Sequence, residues 1–219
     1  RLAVFKVLDG SGQGRTSDVV RAIEFIVANR RMLGVDVINL SLGHPVFEPA
    51  DTDPLVQAVQ QATRAGLVVV AAAGNFGTNP VTGEPGYAGI TSPGNAPSAI
   101  TVGAASTKGT IGRRDDGVAP FSSRGPTWYD AYAKPDIVAP GEKLTSVGVP
   151  GTPLYDNYPT LQVDGTKGGT YLRLSGTSMA TAVATGVVAL AIEANRRQNG
   201  GPPVAASRRQ LSANAVKGI

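Results

Sequence analysis

The run from Met179 to Ala194 constrains the fold more than any other stretch of this 219-residue chain. It is rich in Ala, Val and Leu and holds no charge before Glu193. Its apolar residues fall on all sides at helical spacing, which predicts a buried helix. Sixteen residues before the Asn195-Arg196-Arg197 stop are short for a membrane span, so a core helix is the reading adopted. Ser175-Gly176-Thr177-Ser178 leads into it. A serine at such a helix start sits where backbone N–H groups lack partners and the macrodipole is positive. Negative charge developing beside its oxygen would be stabilised there. Ser178 or Thr177 simply capping the helix is the plainer reading of the same residues.

A core able to bury such a helix needs length and apolar content. The chain supplies both, with 42% hydrophobic and 16% charged residues, ordinary values for one globular domain. Twenty-eight glycines and sixteen prolines fit many tight loops between regular elements. There is no cysteine, which excludes a zinc–thiolate site. The net charge of +4 is spread over separated Arg doublets with no aromatic-interleaved basic stripe, so no nucleic-acid partner is expected. No membrane partner is expected either. The chain begins at Arg1 inside an apolar run and ends at Ile219 just after a helical pattern, and is expected to be an internal piece of a longer protein.

Leu2 to Leu8 reads as a buried strand. A helix follows, capped by Thr16 or Ser17, with Val19, Ile23, Ile26 and Val27 on one face and Gly34 at its end. Val35–Leu40 is the next strand. Asp53 caps a second helix with Pro54 at its first position and Gly66 just past its end. Its apolar face is Leu55, Ala58, Val59 and Ala62. Strands are predicted over Leu67–Ala73 and Ser98–Ala105, with a short one at Ile137-Val138. Residues 76–97 read as loop. Residues 142–170 show no period and read as a long surface loop or an insertion. Early alternation of strand and helix predicts an α/β fold, its sheet mostly parallel with helices on both faces. Ligands in such sheets bind outside the carboxyl ends of the strands, where Gly10–Gly12, Ser41–Gly43 and Gly74-Asn75 fall. Glycine-bearing strand ends expose backbone with which a peptide can pair.

Six stretches then resemble, in order, the motifs of the subtilisin-like serine proteases. Ser175-Gly176-Thr177-Ser178-Met179-Ala180-Thr181 looks like the nucleophile motif, and Ala71-Ala72-Ala73-Gly74-Asn75 like the oxyanion-asparagine motif. Val37–Gly43 resembles the substrate-binding strand, and Val7–Gly12 the strand-and-glycine loop before it. Phe121–Gly125 and Lys134–Gly141 resemble two structural signatures. The nucleophile motif departs from the family where Ala182 and Val183 stand in place of Pro and His. The larger departure is that the motifs carrying the family's catalytic Asp and His have no counterpart here and would precede Arg1. The sole histidine, His44, is not the general base by motif; a structural or rim role is expected.

The resemblance implies that residues 1–219 are a partial subtilase catalytic domain, lacking the N-terminal strand and helix that carry Asp and His. It implies that Ser178 is the nucleophile of an endopeptidase acting through an acyl-enzyme. The Asn75 carboxamide and the Ser178 N–H would donate to the oxyanion. Gly10, Ser11, Gly12, Ser41, Leu42 and Gly43 would flank an extended peptide. Ala72, Ala73 and Gly74, with Ser41–Gly43, would line the pocket for one of its side chains. The partner is a polypeptide substrate, with a prodomain or the N-terminal segment as further partners, and the location is extracellular. No cofactor or metal ligand is assignable, although calcium in the parent fits the family. In that fold the Asp-bearing strand lies between those matching Leu2–Leu8 and Val35–Leu40, so its loss would leave two unpaired inner edges.

The same residues admit two other readings. Gly10-Ser11-Gly12-Gln13-Gly14 follows a strand and precedes a helix as a dinucleotide fingerprint would, but its spacing is G-x-G-x-G and Asp18 would repel phosphate. A catalytically inactive peptide-binding scaffold keeps the fold, but has no chemical need for both Ser178 and Asn75.

Overall fold

The computed structural model describes residues 2–165, 168–198 and 215–216. Its centre is a twisted sheet with strands β1 (Val37–Leu40), β2 (Val68–Ala72) and β3 (Ile100–Ser106) side by side and parallel. β3 also pairs in parallel with β5 (Ile137–Pro140), and antiparallel with the short β4 (Gly117–Val118). Side-chain alternation sends β2 residues to opposite faces. Val69 and Ala71 join Ile38 and Leu40 under helices α1 (Thr16–Leu33) and α2 (Pro54–Arg64). Val68 and Val70 join Ile100 and Val102 under helix α4 (Thr177–Gln198). Every β2 residue is buried, as a strand covered on both faces must be. The expected α/β architecture, with a largely parallel sheet and helices on both faces, is the one found.

Helix α2 forms as its sequence predicts. The Asp53 carboxylate accepts from the N–H groups of Leu55 and Val56, and Leu55, Ala58, Val59 and Ala62 are buried. Helix α1 buries Val19, Ile23 and Ile26, with Val27 packed partly against them. The expected cap is corrected. Thr16 already lies inside α1, Arg15 precedes it, and no side chain caps the end.

Three further expectations differ from the structure. Leu2–Leu8 is not a strand: it forms no ladder, and Leu2 and Val4 are almost fully exposed. Only alternate residues Phe5 and Val7 rest on the core, with the Phe5 ring 5.9 Å from that of Phe25. A strand-like run needs a neighbour to accept its hydrogen bonds, and among the described residues β1 pairs with β2 alone. Residues 142–170 are not a featureless loop. β6 (Leu144–Val147), β7 (Gln162–Asp164) and β8 (Thr170–Leu174) make a second, antiparallel sheet in the order β6-β8-β7. One turn of helix, α3 (Pro153–Asp156), lies between β6 and β7. Strands of three to five residues, with Leu172 as their one buried position, leave no alternation to read. Finally, α4 is not buried all round. Ala180, Ala184, Val188 and Ile192 pack on the sheet, while Val187 and Leu190 face outward. By length and composition α4 could cross a membrane, but in this fold it covers one face of the sheet.

The two ends of α4 are fixed by polar contacts. At its far end Arg196 forms a two-pronged ion pair with Asp36, just ahead of β1. Two turns into the helix, Thr185 Oγ1 donates to Asn39 Oδ1 (2.9 Å) and Asn39 Nδ2 donates to Ser41 Oγ (3.0 Å), while at the start Ser178 Oγ donates to the Ser41 carbonyl. The helix start is thereby held over the carboxyl ends of β1 and β2.

Candidate active site

Ser178 and Asn75 are 103 positions apart in sequence and meet at the start of α4. Asn75 Oδ1 accepts two hydrogen bonds from Thr177, one from its N–H (3.0 Å) and one from its hydroxyl (3.1 Å). An amide oxygen committed to two donors fixes the plane of the group and turns its NH2 away. Asn75 Nδ2 makes no hydrogen bond with the described residues, and neither does the Ser178 N–H. The Ser178 amide is free because it belongs to the first turn of α4, where no helical carbonyl lies within reach. A methyl group added to Gly176 would sit 3.6 Å from Asn75 Nδ2 and 3.8 Å from Ser178 N. Two unpaired N–H donors therefore border the same small space beside Gly176. It lies at a helix N-terminus, where a partial positive charge adds to them.

Neither hydroxyl caps α4, which corrects the plainer sequence reading. Met179 N and Ala180 N donate to the Gly176 carbonyl, and Thr177 Oγ1 accepts from Gly74 N (3.2 Å) while donating to Asn75. Ser178 Oγ donates to the Ser41 carbonyl (3.2 Å), and Ser41 Oγ donates back to the Ser178 carbonyl (2.9 Å). The nucleophile candidate is thus latched to the end of β1.

Gly74 shows why a glycine ends β2. Its φ is +104°, and a Cβ there would meet Thr91 Cγ2 at 2.8 Å and Ser123 Oγ at 2.9 Å. No other residue type allows that backbone and that approach. The Phe121–Gly125 stretch braces the same turn. Ser123 N donates to the Gly74 carbonyl (2.9 Å), Ser123 Oγ accepts from Phe76 N (3.0 Å), and Arg124 Nη1 donates to the Gly77 carbonyl (2.6 Å). Lys134–Gly141 braces β3 and β5. The Lys134 ammonium is buried, bonded to the Ala99 carbonyl (2.9 Å) and to Asp136 Oδ2 (2.7 Å), which also accepts from Thr101 N (2.7 Å). Gly141 then accepts from Gly176 N (2.8 Å), one step from the nucleophile turn.

The remaining candidates are distributed as follows. Gly10, Ser11 and Gly12 form an exposed turn closed by the Asp9 carboxylate, which accepts from Ser11 Oγ and from the N–H groups of Ser11 and Gln13. Those bonds, that of the Ser11 hydroxyl foremost, hold the Asp9 carboxyl below the usual carboxylate range. Ser41, Leu42 and Gly43 follow β1 and form, with the Gly12–Thr16 segment, the walls of a cavity of about 460 Å³. Ala72 and Ala73 are buried; their neighbour Gly74 is half-buried. A smaller cavity of about 220 Å³ lies beside Phe76, between Val46, Ile90, Thr91 and Trp128. His44 bridges by its backbone to Ser92, and its ring stacks on Phe47 with centroids 5.6 Å apart. Among the described residues no three His, Asp or Glu side chains gather to hold a metal ion.

The sequence offers Thr177 only as a helix cap and gives Thr91 no role. Thr177 lay in plain view within the nucleophile motif, but its grip on Asn75 spans 102 residues and has no periodic signal. Thr91 sits in an irregular loop, and its Oγ1 and Cγ2 lie within 2.8 Å of where side chains on Gly43 and Gly74 would begin.

The sequence model of the subtilase family matches residues 1–217. Serine protease AprX of Bacillus subtilis is 38% identical over 195 residues, spanning 87% of this chain and 41% of that protein. Subtilisin of Bacillus pumilus is 35% identical over 189 residues, spanning 86% of this chain and 52% of that protein. Among solved structures, Sphericase superposes with a TM-score of 0.64 at 26% identity, covering 97% of this chain and 56% of its own. The S41 psychrophilic protease superposes with a TM-score of 0.63 at 28% identity, with the same coverage. The chain thus spans about half, or less, of the length of these relatives.

Proposed function

Because the chain belongs to the subtilase family of serine proteases, we propose that it carries the nucleophile and oxyanion half of an endopeptidase site. The observation that carries this reading is the pair of unpaired donors, Asn75 Nδ2 and Ser178 N, bordering one space next to Ser178. Ser178 Oγ attacks the carbonyl carbon of a peptide bond, its proton leaves to a base, and the carbonyl oxygen gains negative charge. The two donors face that oxygen and need no reorientation as the charge forms, since Thr177 already holds the Asn75 amide. Collapse of the tetrahedral species, with the base returning that proton to the leaving nitrogen, expels the amine and leaves an acyl group on Ser178, which water then hydrolyses.

A serine hydroxyl needs a base. Among the described residues Ser178 Oγ bonds to the Ser41 carbonyl, which cannot accept its proton. The only imidazole, that of His44, is hydrogen-bonded to the Pro45 carbonyl. We therefore assign the base and its orienting carboxylate to sequence that precedes Arg1 in the whole protein, so that residues 1–219 are part of a catalytic domain. The chain alone then has little or no triad-dependent activity. The substrate is an extended polypeptide lying between Gly10–Gly12 and Ser41–Gly43, with Ala72–Gly74 behind one of its side chains. Secretion and a prodomain partner belong to the same proposal, by analogy with the secreted subtilisins.

A fluorophosphonate probe tests it. Ser178 should label rapidly in the full-length protein, very slowly in the isolated chain, and not at all after Ser178→Ala. Fast labelling of the isolated chain would show that another residue is the base. No labelling of Ser178 in the full-length protein would overturn the reading.

A further inference from the structure

Ser41 belongs to two neighbourhoods. One is the nucleophile, to which it is hydrogen-bonded in both directions. The other is the cavity of about 460 Å³ whose wall passes from the Gly12–Thr16 segment across Ser41–His44 to Val19 and Leu55. Ser41 thus links the wall of this cavity to Ser178. Val19 and Leu55 are buried and give it an apolar floor. Arg15 and His44 also line it, and no carboxylate does. The nearby acids are engaged elsewhere: Asp9 closes its own turn, Asp18 pairs with Arg21 at 2.5 Å, and Asp53 caps α2. The exposed Arg15 side chain makes no hydrogen bond or ion pair with the described residues. His44 Nδ1 lies 2.7 Å from the Pro45 carbonyl, which can only accept, so Nδ1 carries the proton. His44 Nε2 is buried with no partner.

We propose that this cavity receives an acidic side chain of the bound polypeptide. The carboxylate meets the Arg15 guanidinium, which matches its planar geometry, and the methylenes rest on Val19 and Leu55. A strand presents alternate side chains to opposite faces, so one substrate position reaches the cavity and its immediate neighbours do not. The inference rests on the endopeptidase reading and adds to it the charge of one substrate residue.

The test uses the full-length protein and fluorogenic peptides identical except at one residue, with Glu, Gln, Leu or Lys scanned through each position flanking the cleaved bond. At one position Glu should exceed its neutral isostere Gln about fivefold in kcat/KM, the size of a partly exposed ion pair. The advantage should shrink in high salt, vanish in Arg15→Gln and turn toward Lys in Arg15→Glu. Equal cleavage of Glu and Gln peptides at every position, or a Glu preference that survives Arg15→Glu, overturns the inference and leaves the endopeptidase reading standing. Cleavage of no peptide, with no labelling of Ser178, overturns that reading and this inference with it.

Discussion

Thr177 decides what Asn75 can do. Its N–H and hydroxyl both end on the Asn75 carbonyl oxygen, so the carboxamide presents only its NH2 to the space beside Ser178. Asn75→Ala removes that donor. A hydrogen bond to a developing charge contributes about 3 kcal/mol, so kcat/KM of the full-length protein should fall about a hundredfold. Thr177→Val keeps the shape but loses the hydroxyl clamp. It should lower kcat about tenfold with little change in KM, because the amide is then free to rotate. An unchanged kcat in Thr177→Val would show that the backbone bond alone orients Asn75. At this scale the sequence named Ser178 and Asn75 by residue type within a motif. It could not name Thr177, whose partner lies 102 positions away.

Among the elements, the start of β3 and the start of β5 share one buried cation. Lys134 binds the Ala99 carbonyl and the Asp136 carboxylate, and Asp136 in turn accepts from Thr101 on β3. Lys134→Met keeps the volume and removes the charge. Breaking a buried pair by removing one partner should destabilise the full-length protein by about 3 kcal/mol, read from urea unfolding. Arg21→Ala, which breaks the exposed pair with Asp18, should cost less than about 0.5 kcal/mol. Equal effects of the two would refute a structural role for the buried lysine. The elements themselves were legible where periodicity was strong. Helix α2, with Asp53, Pro54 and its four-residue apolar face, follows from its sequence. Strands β6–β8 do not, because they are short and bury a single residue among them.

For the whole molecule, the open side of β1 is the main feature. Leu2–Leu8 has the composition of a buried strand and the exposure of a loop, and none of its N–H groups donates to the described backbone. Its amides should exchange rapidly in the isolated chain and slowly in the full-length protein, where hydrogen exchange would find them paired. Strong protection in a lone monomer would show that the stretch closes on β1 without help. The sequence by itself determined the α/β alternation, the strand at β2, the cap and face of α2, and the two motif residues, Ser178 and Asn75, that the fold brings together. Those follow from local periodicity and from residue chemistry, which one stretch of chain can carry. Only the tertiary structure decided which face of α4 is covered, whether Leu2–Leu8 becomes a strand, and that Thr177 aims the Asn75 amide. Each depends on a partner remote in sequence: a helix needs a surface to choose a face, a strand needs a neighbour to bond, and an amide needs a donor to fix its plane.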